Sequence, residues 1–284
     1  MPRLLAALVL VLATAAPASA QSRGVVHQQL VLLLNPMGMQ HQLDVGLRAP
    51  LGDQGALLFD GAHAEAGITS RVAPVFAIHG GYLEVSPLSF LVLRAEMAGA
   101  VVWPIGMDGA GYYGLEGYGA DFDAQHLPGA EGGEATGWTV RLSGQLQGAI
   151  PLGDAGRLLI ADRMTFQHDD QGDAAFYYSL EHDLVLARSD WVVRNDAFVL
   201  AEFPVDDVTI RAGAYSDLRW VPRSEYVGHQ VGPIVAVTFE RVDAHVPSIS
   251  AFVRGGYYTH HGTRQDELTV LGGLSVDYDL GALR

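Results

Sequence analysis

Between Trp138 and Ile150 the chain reads WTVRLSGQLQGAI. Thr139, Arg141, Ser143, Gln145 and Gln147 take one parity, and Trp138, Val140, Leu142, Gly144, Leu146, Gly148 and Ile150 take the other. A period of two over this length predicts a β-strand with one oily face and one wet face. The same alternation predicts strands through Leu43–Ala49, Leu91–Val101, Phe176–Leu186, Val208–Ala214, Ile249–Tyr257 and Leu268–Leu280. Weaker patterns fill 57–72, 75–86, 157–168, 192–203 and 226–241, the second of these without a clear phase. No segment holds a 3.6-residue period. The sum is about twelve strands of roughly 9–14 residues, about twice the usual strand of a soluble sandwich and the length a tilted membrane strand needs.

Two further features separate lipid from a protein core as the environment of the oily faces. Those faces are rich in Leu, Val, Ala and Gly and nearly free of charge, as expected where a mid-bilayer Arg costs about 2–4 kcal/mol. All four tryptophans, Trp103, Trp138, Trp191 and Trp220, fall at strand ends, as do Phe90, Phe203, Tyr226, Phe239 and Tyr258. Rings at both rims form an aromatic girdle. On these residues the chain resembles a bacterial outer-membrane β-barrel over nearly all of residues 28–280. The resemblance is one of architecture and carries no subfamily motif. It implies an all-β fold, an antiparallel transmembrane β-barrel of about twelve strands, set in an outer membrane with lipopolysaccharide and the outer-membrane assembly machinery as surroundings.

Some positions break the pattern. Asp60, Asp162, His182, Asn195 and His229 stand on the apolar parity. Asp60 and His229 lie near strand ends, where water reaches. For Asp162 and Asn195 the expectation is a bulge or a shifted phase. Sidedness is open. Tight turns such as Pro50-Leu51-Gly52-Asp53 and Pro151-Leu152-Gly153-Asp154 belong on the periplasmic side and the long loop 104–137 outside. Twelve strands then start on the outer side. A further pass through Leu30–Leu34, turned by Asn35-Pro36-Met37-Gly38, corrects this but gives an odd count, where bacterial barrels are even.

Composition narrows the setting. Arg3, the apolar run Leu4–Leu12 and Ala18-Ser19-Ala20 read as a signal peptide over 1–20, too short to span a membrane, with the mature chain expected from Gln21 as one domain over 21–284. The absence of Cys excludes a disulfide scaffold and a thiolate metal site. All 17 basic residues are Arg against 32 acidic ones, a net charge of −15, which argues against nucleic acid as a partner.

With the apolar parity in lipid, the other parity faces a lumen. It carries the candidate pore-lining residues Arg48, Arg94, Glu96, Arg141, Arg163, Glu181, Asp183, Arg194, Asp196, Arg211, Asp217, Arg254 and Asp277. These charges fit a porin-like channel or a binding barrel for small hydrophilic solutes, their field setting selectivity. They equally fit cross-strand ion pairs that fill a plugged structural or adhesive barrel, since twelve strands lie between the filled and the open size classes. A rim hydrolase is the third reading, with His168-Asp169-Asp170 and His260-His261 as its fragments. G-x-S-x-G and H-E-x-x-H do not occur, the eleven His lack metal-ligand spacing, and no cofactor or metal is expected. The long loop mixes Gly, acids and Tyr112, Tyr113 and Tyr118, with Asp121 and Asp123 as a weak cation motif, and reads as a cap or a constriction.

Overall fold

The computed structural model describes residues 22–105, 111–117, 132–153 and 156–282. The signal peptide expected over 1–20, the loop residues Tyr118, Asp121 and Asp123, and Asp154 of the second tight turn lie outside the described residues. Fifteen strands follow one another: β1 (Arg23–Leu34), β2 (Gly38–Pro50), β3 (His63–Ala73), β4 (Phe76–Leu88), β5 (Leu91–Val102), β6 (Gly114–Leu115), β7 (Ala135–Pro151) and β8 (Arg157–Gln171). After these come β9 (Phe176–Ser179), β10 (Leu184–Ala187), β11 (Ser189–Val205), β12 (Val208–Val221), β13 (Tyr226–Glu240), β14 (Ser248–His260) and β15 (Leu268–Ala282). Twelve of them close into one antiparallel barrel in the order β1-β15-β14-β13-β12-β11-β8-β7-β5-β4-β3-β2, and β10-β9-β6 form a separate small sheet. Closure is made by β1 against β15, from Arg23 opposite Ala282 to Leu34 opposite Val270. No edge strand is left in the wall, so every backbone group there can pair, as a bilayer requires.

The wall is apolar on its outside. Met97 is 60% exposed, Leu146 58% and Leu274 53%, while inward Thr139 of β7 is 1% exposed. So many large exposed hydrophobics around a closed wall would be a gross liability in water and are the expected surface in lipid. The molecule is a transmembrane β-barrel of the outer-membrane type.

Three expectations are corrected here. Phe176–Leu186 is not a wall strand but a hairpin, β9 and β10, and the pass around Leu30–Leu34 is the wall strand β1. The exchange keeps the count at twelve and removes the conflict between an even strand number and the placement of the long loop. The connections 51–62, 89–90, 152–156, 206–207 and 241–247 share the end where β1 starts and β15 finishes, here the starting end. The connections 103–134 and 172–188 leave from the opposite, loop end. The rings divide between the two rims by residue type. Trp103, Trp138, Trp191 and Trp220 all flank the loop end, and exposed Phe90, Phe203 and Phe239 mark the starting end. Tyr258 points inward and Tyr226 packs on the interior cluster, so neither belongs to a girdle. Finally, Asp162 and Asn195 are not displaced by a bulge. The β8–β11 ladder runs in unbroken register past both, and both project outward.

The missing phase of β4 has a physical cause. Its inward Phe76 and Ile78 are apolar because they meet the hairpin rather than water. Towards the starting end the inward positions turn polar, with Glu84 and Ser86.

Candidate functional site

The connection between β8 and β11 folds back into the barrel mouth. Phe176–Ser179 pairs with Leu184–Ala187, and Gly114 of β6 pairs with Tyr177 on the other edge. The entry to this fold-back needs glycine. Gly172 has φ +65°, and a Cβ there would stand 2.2 Å from the Tyr112 ring. Tyr177 and Leu186 are fully buried, and they pack with Phe76, Ile78, Val192 and Val221 of the wall. This is a hydrophobic core inside a barrel, confined to the loop end.

The hairpin tip, residues 180–183, carries the charges. Glu181 accepts from Arg71 Nη1 at 3.0 Å, Arg141 Nη2 at 2.5 Å and Gln167 Nε2 at 3.0 Å. Arg71 donates its other arm to Glu96 at 2.6 Å, and its side chain is 2% exposed. His182 Nε2 lies 3.0 Å from Asp169 Oδ2, and the His182 carbonyl accepts from Arg219 at 2.6 Å. Asp183 accepts from Arg264 Nε at 2.7 Å and from the Tyr178 hydroxyl. Arg264, in the β14–β15 connection, also donates to Asn35 Oδ1 at 2.9 Å, so two connections of the loop end grip the tip. Asp169, Glu181 and His182 offer ligand atoms within 4.8 Å of one another. The same carboxylates already accept from two guanidiniums and an amide, so the set works as an ion-pair latch.

Arg264 and His261 lie beyond the wall strands. Asp183 beside Arg264 holds its guanidinium above the ordinary range, overcoming the opposite effect of burial. Burial, helped by Arg219 and Arg264, holds the His261 imidazole below its ordinary value against the pull of Asp183. His261 Nδ1 accepts the backbone N–H of Thr263 at 3.2 Å and of Arg264 at 3.1 Å, which a protonated Nδ1 cannot do. As pH falls through about 6.5, a released loop takes up the proton first, so the docked form loses stability in acid and keeps it above that value. Proteolysis of the hairpin should therefore quicken between about pH 7 and pH 5.5. His261→Phe, which preserves the edge contacts to Tyr226 and Tyr258, should flatten that profile.

Towards the starting end the lumen mixes half-exposed charges with buried carboxylates. Side chains of Arg211 and Arg48 are 28% and 25% exposed and Asp277 is 42% exposed, while the partner carboxylates Glu202 and Glu65 stay buried. Pairs bridge strands: Arg94 reaches Asp44 across two intervening strands at 2.9 Å, and Arg194, which also holds Asp196 of its own strand at 2.7 Å, reaches Asp217 at 2.8 Å. Arg254 stands 3.8 Å from Asp217 and lies over the Tyr215 ring. Arg163 donates only to the neutral Gln145 amide, at 2.9 and 2.6 Å, with no ion pair among the described residues.

Eleven of the thirteen candidate lumen residues thus face inward from the wall, and Glu181 and Asp183 reach the lumen from the hairpin instead. Sequence reasoning missed Arg71, Asp169 and Arg264 as partners of the tip. Arg71 was legible only as an inward position, Asp169 only as part of the rim fragment His168-Asp169-Asp170, and Arg264 lies in a connection with no periodic signal. At the rim, His168 stacks on Trp138 and meets Trp191 edge-on, both with centroids at 5.0 Å, and Ser189 Oγ is 3.2 Å from its Nε2. His168 Nδ1 is buried with no acceptor, so the orienting carboxylate that Ser–His hydrolysis uses is missing from this pair. His260 and His261 point to opposite sides of the wall line, as their alternation implies.

No family model matches the chain, and no curated protein matches it. Among solved structures it is similar to the β domain of the Bordetella autotransporter BrkA, at 11% identity and a TM-score of 0.49, covering 92% of this chain and 99% of that one. It is also similar to the translocator domain of the autotransporter NalP from Neisseria meningitidis, at 13% identity and a TM-score of 0.44, covering 98% and 95%. The NanC porin aligns at 12% identity and a TM-score of 0.39, covering 89% and 98%.

Proposed function

We propose that the chain is a porin-like barrel of a bacterial outer membrane, exported by its leader. Its lumen takes small hydrophilic solutes, and its loop end is held shut by the β9–β10 hairpin. One contrast carries this reading. Latch residues such as Arg71 and Arg264 are 2% exposed, whereas Arg48, Arg211 and Asp277 towards the starting end are 25%, 28% and 42% exposed. A barrel built only as a structural plug gains nothing from half-exposed, charged side chains under its plug. With the loop end outward, the starting end opens to the periplasm and solute passage requires the hairpin to leave its seat. The inward Arg and carboxylate side chains are then the field a solute meets.

Liposome swelling tests this. Vesicles holding a variant with 174–187 replaced by a short Gly-Ser link should admit small sugars and amino acids, while wild-type vesicles admit them slowly. Inserted protein that is impermeable in both forms would refute the reading. Within the same open variant, Arg163→Gln should move the reversal potential toward cations. Because Arg163 has no ion-pair partner among the described residues, its removal should change unfolding stability by no more than about 0.5 kcal/mol. An unchanged reversal potential would place the selectivity elsewhere in the lumen.

A further inference from the structure

Asp162 and Asn195 both follow the outward parity of their strands, and the ladder between those strands is regular from Ser189 to Glu202. Among the described residues, no other Asp, Glu or Arg on the outward parity lies between the two aromatic rims. Depth can be counted along the strand. Asp162 stands opposite Ala197, which is six residues from Trp191 at one rim and six from Phe203 at the other. The carboxyl group is therefore at the middle of the apolar belt. Asn195 Nδ2 donates to Asp162 Oδ1, and beyond that makes only a 3.4 Å approach to the Arg163 carbonyl. Asp162 Oδ2, the Asn195 amide oxygen and a weakly used N–H are left facing hydrocarbon, where polar groups without partners are expensive and mark functional positions.

We infer that this patch is the contact between two copies of this chain in the membrane. A two-fold axis along the bilayer normal leaves depth unchanged, so a mid-belt group on one copy meets the same group on the other. The pair is self-complementary. The second N–H of Asn195 can donate to the second copy's Asp162 Oδ2, and the reciprocal bond follows from the symmetry. A partner of any other sequence would have to bring a matching donor and acceptor to this depth. The neighbouring wall also lets two backbones approach, because Ala197, Ala201, Ala212 and Ala214 occupy outward positions on β11 and β12. Across the barrel, β1 and β2 present Leu30, Leu32, Leu43 and Leu47 instead, with the neutral Gln28 and no charged group among them.

The chain has no Cys, so single-cysteine variants report cleanly. The full mature protein, refolded into phosphatidylcholine vesicles at high lipid excess, would be oxidised as Ala197→Cys and, from the opposite wall, as Val45→Cys. The expected result is a disulfide-linked species of twice the chain mass, about tenfold more abundant for Ala197→Cys. Adding Asp162→Leu should cut that species about tenfold, with insertion checked by heat-modifiable gel mobility. Asn195→Leu carries the same test should Asp162→Leu fail to insert. Equal cross-linking at both cysteines, or no loss with the Leu substitutions, would overturn the inference. So would an adduct in whole outer membranes whose mass is not twice that of the chain, which would assign the patch to a different partner.

Discussion

Replacing Arg71 with alanine is expected to free the hairpin from its seat. Arg71 is 1% exposed and is shared between Glu96 on the wall and Glu181 on the hairpin tip. Its removal leaves two carboxylates in a nearly dry environment, with Arg141 still beside Glu181 and Arg94 no nearer than 3.7 Å to Glu96. Breaking a buried pair in this way costs about 3–5 kcal/mol. At 1.4 kcal/mol per tenfold, the ratio of undocked to docked hairpin rises by about two orders of magnitude or more. The readouts are proteolytic cleavage within residues 174–187 and the open fraction in a bilayer. Arg71→Lys should fall between, because an ammonium keeps the charge but cannot fork to both partners. If Arg71→Ala left both readouts at wild-type levels, the latch would not be what seats the hairpin.

Arg264→Ala is the second large effect. Its guanidinium, 2% exposed, holds Asp183 through two nitrogens at 2.7 and 3.3 Å and ties the tip to Asn35. The expected cost is again about 3–5 kcal/mol. The two latches grip residues 181 and 183 of one four-residue tip, so they should not act independently. Once either is cut and the tip is free, the other has less to hold, and the double variant should cost less than the sum of the single ones. Additive costs would mean that the tip detaches in two separate pieces. Both substitutions act on the interior and should leave the wall folded, as judged by heat-modifiable mobility.

The wall was legible because lipid and lumen impose opposite demands on alternate residues, and WTVRLSGQLQGAI keeps that alternation for a whole strand. The outward exposure of Trp138, Leu142, Leu146 and Ile150 follows it residue by residue. The hairpin was not legible, for a reason of parity. Its tip has four residues, an even number, so Phe176, Tyr178, Leu184 and Leu186 remain in step across the turn and imitate one unbroken strand. Two signs stood in the sequence all the same: the out-of-phase His182, and β4, whose inward face turns apolar where it meets the hairpin. Strand β1 was hidden in the opposite way, since Val31 and Leu33 are apolar on the inward parity and blur its period. The latch could not be read at all. Arg71, Glu96, Arg141, Asp169 and Arg264 come from five separate elements, and only closure of the barrel brings them to one point.

The most direct measurement is single-channel conductance in a planar bilayer, made on the refolded wild-type protein and on the variant with 174–187 replaced by a short link. A barrel stopped by its hairpin should be mostly silent in the wild type, with brief openings, and should conduct in steady steps once the hairpin is gone. Equal, steady conductance in both would mean that the hairpin does not close the lumen. Silence of the shortened variant, in protein shown to be inserted, would mean that the wall's own side chains already do.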